Sequence, residues 1–455
     1  MGLLALLYQP DSKAQGLKVS ENGRYLQKPD GSPFFYLGDT AWELFHRLNR
    51  EESEQYLKNR AEKGFTVIQA VVLAELDGLK TASAEGEVPL IDMDPARPNE
   101  KYFEHVDFVV NKAQELGIYI GMLPTWGDKF NLKWGVGPEV FSPENARIFG
   151  EFLGKRYKDK SVIWILGGDR SPEEPEDFEI VRAMARGIKK GDKGSHLITY
   201  HPMGGQSSAQ FFHSDEWLDF NMFQSGHGIV NNQNYKATAR EYKLNPIKPV
   251  LDGEPCYEDH PINWQAKNGW FDEFDSRRTG YWSMLSGACG HTYGNHNIWQ
   301  MWRPGKAPVS EARTPWWQSL DYPGAFQAGY MRHLFESRPW QTLVPERSLV
   351  TDAPNTAGKE VLAAIAADGS YVIAYAPYGS SFKLDLSRLK GDRMRVWWFN
   401  PRIGKSMLVH ETTRTESIEA DPPSDEKRGN DWVLVVDNAD QNYPPPGADL
   451  SQVSR

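Results

Sequence analysis

Two apolar runs in the sequence end in acidic residues that could carry out proton transfer or nucleophilic attack. One run leads through Gly167-Gly168 to Asp169, and the other ends at Asp252-Gly253-Glu254. A carboxyl group at the end of a buried strand is partly desolvated, which raises its pKa and suits a general acid at neutral pH. Because strand side chains alternate with a period of two, Asp252 and Glu254 share one face, with Glu254 nearer the strand end. We predict catalytic roles for Asp169 and Glu254 and a supporting role for Asp252.

The same acidic residues also fit purely structural roles. Asp169 could pair with Arg170 or cap the helix that follows it. The two acids of the second run could form a buried ion network with Arg277 or Arg278. Their position at strand ends favours the catalytic interpretation, because an inward charge on a buried strand is costly unless it is paired or functional.

The elements that must position these acids follow a regular alternation of strands and helices. Short apolar runs, rich in β-branched and aromatic residues, alternate with amphipathic stretches such as Glu51–Lys63 and Pro143–Tyr157. The apolar runs are Phe34–Asp39, Thr66–Leu73, Tyr119–Trp126, Val162–Asp169, Leu197–Pro202, Phe220–Ser225, Pro249–Glu254 and Gly287–Gly294. Eight strands that alternate with helices predict an α/β fold of the (β/α)8 TIM barrel type, whose active sites form at the C-terminal ends of the strands.

The pattern changes after about residue 345. Strand-like runs then follow one another without intervening helices, at Glu360–Ala367, Tyr371–Tyr375, Lys383–Asp385, Arg393–Phe399 and Trp432–Val436. This arrangement predicts a C-terminal antiparallel β-sandwich domain. We divide the chain into an N-terminal segment (1–16), a barrel with an N-terminal hairpin (17–344), the β-sandwich (345–440) and a Pro-rich tail (441–455). The N-terminal segment could be a trimmed secretion signal or an ordinary stretch of chain.

Strands four and seven stand roughly opposite each other in an eight-stranded barrel, so Asp169 and Glu254 could flank a single bond. Glycoside hydrolysis uses such a pair: one carboxylic acid protonates the leaving oxygen, and the other carboxylate attacks the anomeric carbon or activates water. Aromatic rings and polar groups that suit the C–H faces and hydroxyls of sugars follow the other strands. These predicted substrate-binding residues are Asp39, Trp42, Trp126, Asp128, Trp134, His201, Gln224, His227, Tyr257, His291, Tyr293, Asn295 and Trp299.

Two functions other than glycoside hydrolysis are also consistent with parts of the sequence. Metal-dependent hydrolysis would use His201 and His227 as ligands, but a binuclear site of that kind needs His-x-His after strand one and Asp after strand eight. This sequence has Gly38-Asp39-Thr40 and Tyr293-Gly294-Asn295 at those places, so we expect no metal and no cofactor. A non-catalytic glycan-binding barrel is the other alternative, and the presence of both acids argues against it.

Composition excludes several classes of function. The 455 residues include 51 basic and 61 acidic side chains, a formal charge of −10 that argues against a nucleic-acid partner. With 40% apolar and 25% charged residues the chain is globular, and no stretch approaches the ~20 apolar residues of a membrane helix. Aromatic residues make up 12% of a sequence whose mean hydropathy is only −0.59. We expect part of these rings to bind sugar at the mouth of the barrel.

Motifs along the barrel resemble the apiosidase-like glycoside hydrolases of the family 140 type. The motifs occur in order at Tyr36–Phe45, Gly64–Gln69, Met122–Gly127, Ile165–Arg170, Gly253–Glu258 and Ala288–Gly294. The segment Val396–Arg402 resembles the domain that often follows this barrel and is labelled collagen-binding, a label that need not describe its role here.

This resemblance implies a bacterial enzyme, periplasmic or extracellular, that attacks apiose linkages in the pectin rhamnogalacturonan-II or in other plant glycans. It implies an acid/base Asp after strand four and a nucleophilic Glu after strand seven, the positions of Asp169 and Glu254. The larger clan of retaining barrel hydrolases usually has Asn-Glu after strand four, whereas this sequence has Gly168-Asp169, as the apiosidase-like proteins do. The shorter acid leaves retention and inversion both open, with retention favoured. The partner implied is an oligosaccharide or polysaccharide.

Overall fold

Eight parallel strands alternate with helices in the first three quarters of the chain. The structure is a computed structural model that describes residues 16–354 and 356–449, so the predicted N-terminal segment 1–16 lies, apart from Gly16, outside the described residues. The barrel strands are β1 Tyr36–Thr40, β2 Val67–Leu73, β3 Tyr119–Thr125, β4 Val162–Gly167, β5 Ile198–His201, β6 Asn221–Phe223, β7 Val250–Asp252 and β8 Gly290–Tyr293.

Hydrogen bonds close these strands into a barrel in chain order. Parallel ladders join β8 to β1 and run on through β5, and a separate ladder joins β6 to β7. Single backbone bonds span the two remaining gaps, from Asp219 N–H to the Ile198 carbonyl (2.8 Å) and from Cys289 N–H to the Val250 carbonyl (2.9 Å). The predicted (β/α)8 barrel is confirmed.

Helices connect and cover the strands. Their N-termini are capped by short polar side chains, as at Asn49 and Ser142, which accept hydrogen bonds from backbone N–H groups of the first turn. The helices are Leu44–Arg47, Arg50–Glu62, Glu100–Glu115, Pro143–Tyr157, Pro175–Asp192, Ala209–Phe212, Asn234–Glu241, Glu273–Met284, His296–Trp299, Trp316–Ser319 and Pro323–Glu336. None of the described helices is long and apolar enough to cross a lipid bilayer.

A small antiparallel meander precedes the barrel. Its strands are Lys18–Val19, Leu26–Gln27 and Pro33–Phe34. Leu26 and Phe34 are buried in the same apolar cluster as Val67 and Phe220, which lie at the starts of barrel strands. The meander therefore covers the N-terminal end of the barrel and leaves the opposite end, where the predicted acids lie, open to ligand.

The C-terminal part is an antiparallel domain of two sheets. Its strands are β9 Leu343–Pro345, β10 Val350–Thr351, β11 Leu362–Ala366, β12 Tyr371–Ala376, β13 Phe382–Asp385, β14 Arg393–Asn400, β15 Lys405–Thr413, β16 Ser417–Ala420 and β17 Trp432–Asn438. Six strands form one sheet in the order β9-β11-β12-β17-β14-β15, and the other three form a second sheet in the order β10-β13-β16. The buried residues Ala363, Leu384 and Val436 lie in one apolar cluster between the sheets. The prediction of a C-terminal antiparallel β domain is confirmed.

The domain packs directly on the barrel. One apolar cluster contains barrel residues such as Phe35 and Tyr281 together with Tyr375 of β12, and the rings of Tyr281 and Tyr375 stack at 4.7 Å. A buried ion pair joins Arg277 of the helix Glu273–Met284 to Asp431 beside β17 at 2.6 Å. The start of the predicted Pro-rich tail also packs here, since the ring of Tyr443 lies 5.7 Å from that of Tyr371.

Candidate active site

A cavity of about 730 Å³ opens at the C-terminal ends of the barrel strands. Both predicted catalytic acids, Asp169 and Glu254, lie in its wall. Seven of the predicted substrate-binding residues line it as well: Trp42, Trp126, Trp134, Gln224, His227, Tyr257 and Trp299. The fold thus brings side chains from six barrel strands to one concave surface, the usual place for a ligand on this architecture.

Asp169 is presented by a sharp turn at the end of β4. Gly167 and Gly168 have φ of +87° and +110°, and Asp169 itself has φ of +52°, so three successive residues take backbone conformations that favour glycine. A Cβ atom on Gly168 would lie 2.9 Å from Trp126, so close approach also requires glycine at that position. The side chain of Arg170 stabilises the turn by donating a hydrogen bond to the Asp169 carbonyl at 2.7 Å.

The carboxyl group of Asp169 is poised near neutrality. Burial and the negative charge of Glu254 raise its pKa to about 6, against the opposing positive charges of His201 and Arg170. The indole Nε1 of Trp134 donates a hydrogen bond to Oδ2 at 3.3 Å. A carboxyl group with such a pKa can give up and regain a proton near physiological pH, as general acid/base catalysis requires.

Glu254 is held as a carboxylate by two histidines. His227 Nε2 lies 2.9 Å from Oε1 and His201 Nε2 lies 3.0 Å from Oε2. Burial alone would raise the pKa of Glu254, but the contacts with the two imidazoles outweigh it and lower the pKa to about 2. The Asp169 backbone N–H donates to His201 Nδ1 at 3.3 Å, which leaves the imidazole hydrogen on Nε2, facing Glu254.

Aromatic rings form both the floor and the rim of the cavity. Trp42 and Trp126 are almost fully buried, lie 5.2 Å apart and flank His201. Trp134 and Trp264 stand at the rim with 40% and 46% of their surface exposed. Exposed indoles beside a polar cavity suit sugars, because an indole packs against the flat C–H face of a sugar ring while the acids reach the hydroxyl groups at its edge.

Comparison with known proteins identifies the family. Residues 20–342 match the family model "Apiosidase-like, catalytic domain", which spans the whole barrel. The chain belongs to the apiosidase-like glycoside hydrolases. Residues 344–437 match "Putative collagen-binding domain of a collagenase". The predicted family and the prediction of a glycosidase are thereby confirmed.

Solved structures support the same assignment for this apiosidase-like hydrolase. A glycoside hydrolase is 32% identical over 95% of this chain and 98% of its own, with a TM-score of 0.87. A glycoside hydrolase family 5 protein from Bacteroides vulgatus ATCC 8482 is also 32% identical, over 97% of this chain and 98% of its own, with a TM-score of 0.87. A search of curated proteins returned no match.

His201 of the apiosidase-like hydrolase lies behind the cavity wall instead of on it. It is fully buried between Glu254 and the backbone of Asp169. In this structure it therefore orients the two acids and does not lie in the wall that a ligand would contact.

Five of the predicted substrate-binding residues do not reach the cavity. Asp39 is fully buried, where its Oδ2 accepts hydrogen bonds from Tyr56 (2.6 Å) and from Arg60 (2.5 Å). Asp128 forms a buried ion pair with Lys129 at 2.7 Å. We assign both acids to the structure of the barrel, because each is fully buried against a basic partner and neither is part of the cavity wall.

The remaining three of these residues follow or lie in strand β8. The Tyr293 hydroxyl donates to Glu258 at 2.5 Å, and Asn295 accepts from the N–H of Asn297 as the cap of a short helix. His291 is fully buried, and burial lowers its pKa to about 3. Side chains that alternate along a strand point to both sides of the barrel wall, so being at the strand's end did not bring them to the cavity.

Several cavity residues were not among the predicted substrate-binding set. Glu75, which follows β2, and Trp264, in the loop after β7, both line the wall. Trp264 follows Asn263, and φ of +52° and +60° at these two residues turns the loop sharply. Glu75 is one of the carboxylates that the strand-end rule selects from the sequence, but the sequence assigns it no role. Trp264 lies ten residues beyond Glu254, in a loop whose path no periodicity of the sequence predicts.

The supporting role predicted for Asp252 agrees with its contacts. Its carboxylate accepts hydrogen bonds from the Ser225 hydroxyl (2.6 Å) and from Asn234 Nδ2 (3.0 Å), which tie β7 to the neighbouring loop. Neither Asp252 nor Glu254 forms the alternative ion network with Arg277 or Arg278. Those arginines pair with Asp431 and Asp275.

The histidines of the metal-dependent alternative have other partners. His201 and His227 each contact one oxygen of Glu254. Among the residues that the structure describes, no three His, Cys, Asp or Glu side chains are grouped as metal ligands. The donor arrangement of this site therefore fits a carboxylate held between two histidines better than a metal centre.

Proposed function

We propose that this glycoside hydrolase cleaves an apiosyl bond in a pectin-type oligosaccharide of the plant cell wall, with Asp169 as general acid/base and Glu254 as nucleophile. The observation that carries the proposal is the contrast between the two acids of one cavity. Asp169 has a raised pKa of about 6, whereas two imidazoles hold Glu254 ionised. Glycosidases need one protonated and one ionised carboxyl on either side of the scissile bond.

The proposed reaction proceeds in two balanced steps. Glu254 attacks the anomeric carbon while Asp169 transfers its proton to the leaving oxygen, which gives a glycosyl ester on Glu254 and a free alcohol. Asp169, now ionised, then takes a proton from water, whose oxygen attacks the anomeric carbon and releases the sugar and the Glu254 carboxylate. Retention of anomeric configuration follows from the two displacements.

His201 and His227 give the nucleophile its charge and its direction. Each contacts a different oxygen of Glu254, so the carboxylate plane is fixed and the two imidazoles stabilise its charged form. A buried carboxylate without such partners would take up a proton and lose its nucleophilicity.

Substituting each acid separately tests the assignment. Asp169→Asn should lower kcat/KM on an apiosylated oligogalacturonide by about 10²–10⁴-fold. The loss should be smaller on a nitrophenyl apioside, whose leaving group needs no proton. Glu254→Gln should remove turnover of both substrates. Wild-type-like rates for either variant on the oligosaccharide would contradict the proposed roles, and the configuration of the first product, followed by proton NMR, distinguishes retention from inversion.

A further expectation about location accompanies the proposed function. We propose that the protein acts in the periplasm or outside the cell of a bacterium, since a polymeric plant glycan is met there. Fractionation of the native host with an antibody against the protein tests the location, and recovery with the cytoplasmic fraction would contradict it.

A further inference from the structure

Trp134 belongs both to the rim of the cavity and to the surroundings of the acid/base. It lines the cavity wall and is 40% exposed, yet its indole Nε1–H donates a hydrogen bond to Oδ2 of Asp169 at 3.3 Å. Packing against a sugar ring uses the face of an indole and not its N–H. The bond to Asp169 therefore indicates a role that the binding of sugar does not explain.

Two buried side chains hold the loop that carries Trp134. Asp128 Oδ2 accepts hydrogen bonds from the backbone N–H groups of Val136 (3.1 Å) and Gly137 (2.9 Å), just beyond the indole. On the other side, the fully buried Arg170 donates to the carbonyl oxygen of Trp134 itself. The backbone of the loop is thus fixed on both sides of the position from which the indole reaches the acid.

The side chain of Trp134 is held as well as its backbone. The guanidinium carbon of Arg170 lies 3.6 Å from the centroid of the indole ring, the distance of a close cation–π contact. The indole cannot turn away from Asp169 without losing this contact. One of its two faces is covered by Arg170, so the other face is left for a ligand while the N–H stays directed at the acid.

The contacts of Oδ2 distinguish the two oxygens of the Asp169 carboxyl group. Besides the bond from Trp134, Nη1 of Arg170 lies 3.6 Å from the same oxygen. An indole N–H and a guanidinium are donors only, so a proton on Oδ2 would face two donors that cannot accept it. The protonated acid therefore carries its hydrogen on Oδ1. The side chain of Asp169 remains 22% exposed, so a substrate can reach it.

We propose that Trp134 is a positioning residue for the acid/base: its N–H keeps Oδ2 unprotonated, so that Oδ1 of Asp169 is the oxygen that exchanges the proton. The inference rests on the proposed function, because it takes Asp169 to be the acid of this cavity. In the first step the proton passes from Oδ1 to the leaving oxygen. In the second step Oδ1 takes a proton from the attacking water, and the bond from Trp134 to Oδ2 is kept throughout.

Trp134→Phe tests this role, because it keeps an aromatic ring beside Arg170 and removes the N–H. A hydrogen bond to a carboxylate favours its charged form, so the pKa of Asp169 should rise when the bond is lost. The basic limb of kcat/KM should therefore move upward by about half a pH unit or more. On an apiosylated oligosaccharide, kcat should fall severalfold with a smaller change in KM, because the acid is weaker and its proton is no longer confined to Oδ1.

Trp264→Phe is the matched control. Trp264 is the other exposed indole of the rim, and it lies in the loop after β7. Whatever its effect on KM, this variant should leave the basic limb in place, since ring contact with sugar does not change the pKa of the acid. A basic limb that stays in place in Trp134→Phe, or one that moves equally in both variants, would overturn the proposal.

The other ionisable groups around Asp169 are the same in the wild-type protein and in Trp134→Phe. Those that act on its charge are Glu254 after β7, His201 of β5, Tyr200 of the same strand, Glu75 after β2 and the adjacent Arg170. Because these groups are present in both proteins, the difference between the two pH profiles reports the loss of the hydrogen bond.

Labelling with a carbodiimide and an amine follows the protonation of Asp169 without any substrate, because the carbodiimide reacts with the protonated carboxyl group. Mass spectrometry of the digested protein gives the rate of amide formation at Asp169 over a range of pH. The rate should fall to half near pH 6 in the wild-type protein and at a higher pH in Trp134→Phe. Equal midpoints would overturn the proposal.

The two measurements separate the inference from the function on which it rests. If the wild-type enzyme released no apiose from any apioside, the proposed function would be contradicted, and the labelling midpoints would still decide the role of Trp134. If apiose were released but the labelling midpoint did not move in Trp134→Phe, the role of Trp134 would be contradicted and the proposed function would stand.

Discussion

Asp169 and Glu254 are chemically similar groups that their neighbours hold in opposite protonation states. Asp169 lies at a glycine-rich turn with one hydrogen bond from Trp134, whereas Glu254 has an imidazole at each oxygen. Burial disfavours the charged form of both, and the imidazoles outweigh this penalty at Glu254 only. The difference between an acid and a nucleophile is therefore set by contacts that neither sequence run reveals on its own.

The pH dependence of kcat/KM should reflect this pair. As pH rises through about 6, kcat/KM should fall, because Asp169 must be protonated to act as the acid. As pH is lowered, kcat/KM should fall only near pH 2, where Glu254 takes up a proton. His227→Gln removes one of the contacts that stabilise the carboxylate, so the acidic limb should move upward by about one pH unit or more. The exposed His410→Gln is the control. An acidic limb that stays in place in His227→Gln would show that His227 does not stabilise the carboxylate.

At the scale of elements, most of the barrel could be predicted and much of the site could not. The apolar runs fixed eight strands because a parallel strand buried on both faces is a continuous apolar stretch bounded by loops. The strand Lys405–Thr413 was missed because it lies at the edge of its sheet and is exposed on nearly every residue, so burial imposes no alternation on it. Trp264 was missed for a related reason, since its loop is positioned by tertiary contacts with His227 and His260.

Asp39 occupies a position typical of a catalytic acid but has a structural role. It lies one residue before the end of β1, yet its carboxylate joins that strand to the helix Arg50–Glu62 through a buried pair with Arg60. Asp39→Ala should lower the free energy of unfolding by about 3–5 kcal/mol, because Arg60 is left as an uncompensated buried charge. The fraction that remains folded should keep its kcat.

Chemical denaturation checks this prediction, with Glu54→Ala as the matched control. Glu54 pairs with Lys58 on the same helix at 2.8 Å and lies 3.7 Å from Lys112, but a third of its side chain still faces solvent, so its loss should cost about 0–1 kcal/mol. If Asp39→Ala had normal stability and a low kcat, Asp39 would have a role in catalysis and the structural assignment would be wrong.

At the scale of the whole molecule, the barrel and the β domain share a core. The stacked rings of Tyr281 and Tyr375 and the buried pair of Arg277 with Asp431 join them across one apolar cluster. The C-terminal domain covers a flank of the barrel and leaves the open end of the strands to substrate. We expect the two parts to unfold together in a single calorimetric transition.

Asp431→Ala should uncouple the two domains. Arg277 would lose its partner in a site where both side chains are at most 2% exposed, at a cost of about 3–5 kcal/mol. Calorimetry should show a lower melting temperature and a second transition. Glu419→Ala, which removes an exposed pair with Lys383, should leave the single transition in place. An unchanged melting curve for Asp431→Ala would contradict a shared core stabilised by this pair.

The most direct test of the two-carboxylate assignment is to trap the glycosyl-enzyme. An apioside that carries fluorine at C2 and an activated leaving group reacts at the first step and is hydrolysed slowly at the second. Mass spectrometry of the digested protein should find one added fluoroglycosyl unit on Glu254, absent from the Glu254→Gln variant. A label on another residue, or catalytic turnover of a natural glycan with inversion and no label, would contradict the assignment of Glu254 as the nucleophile.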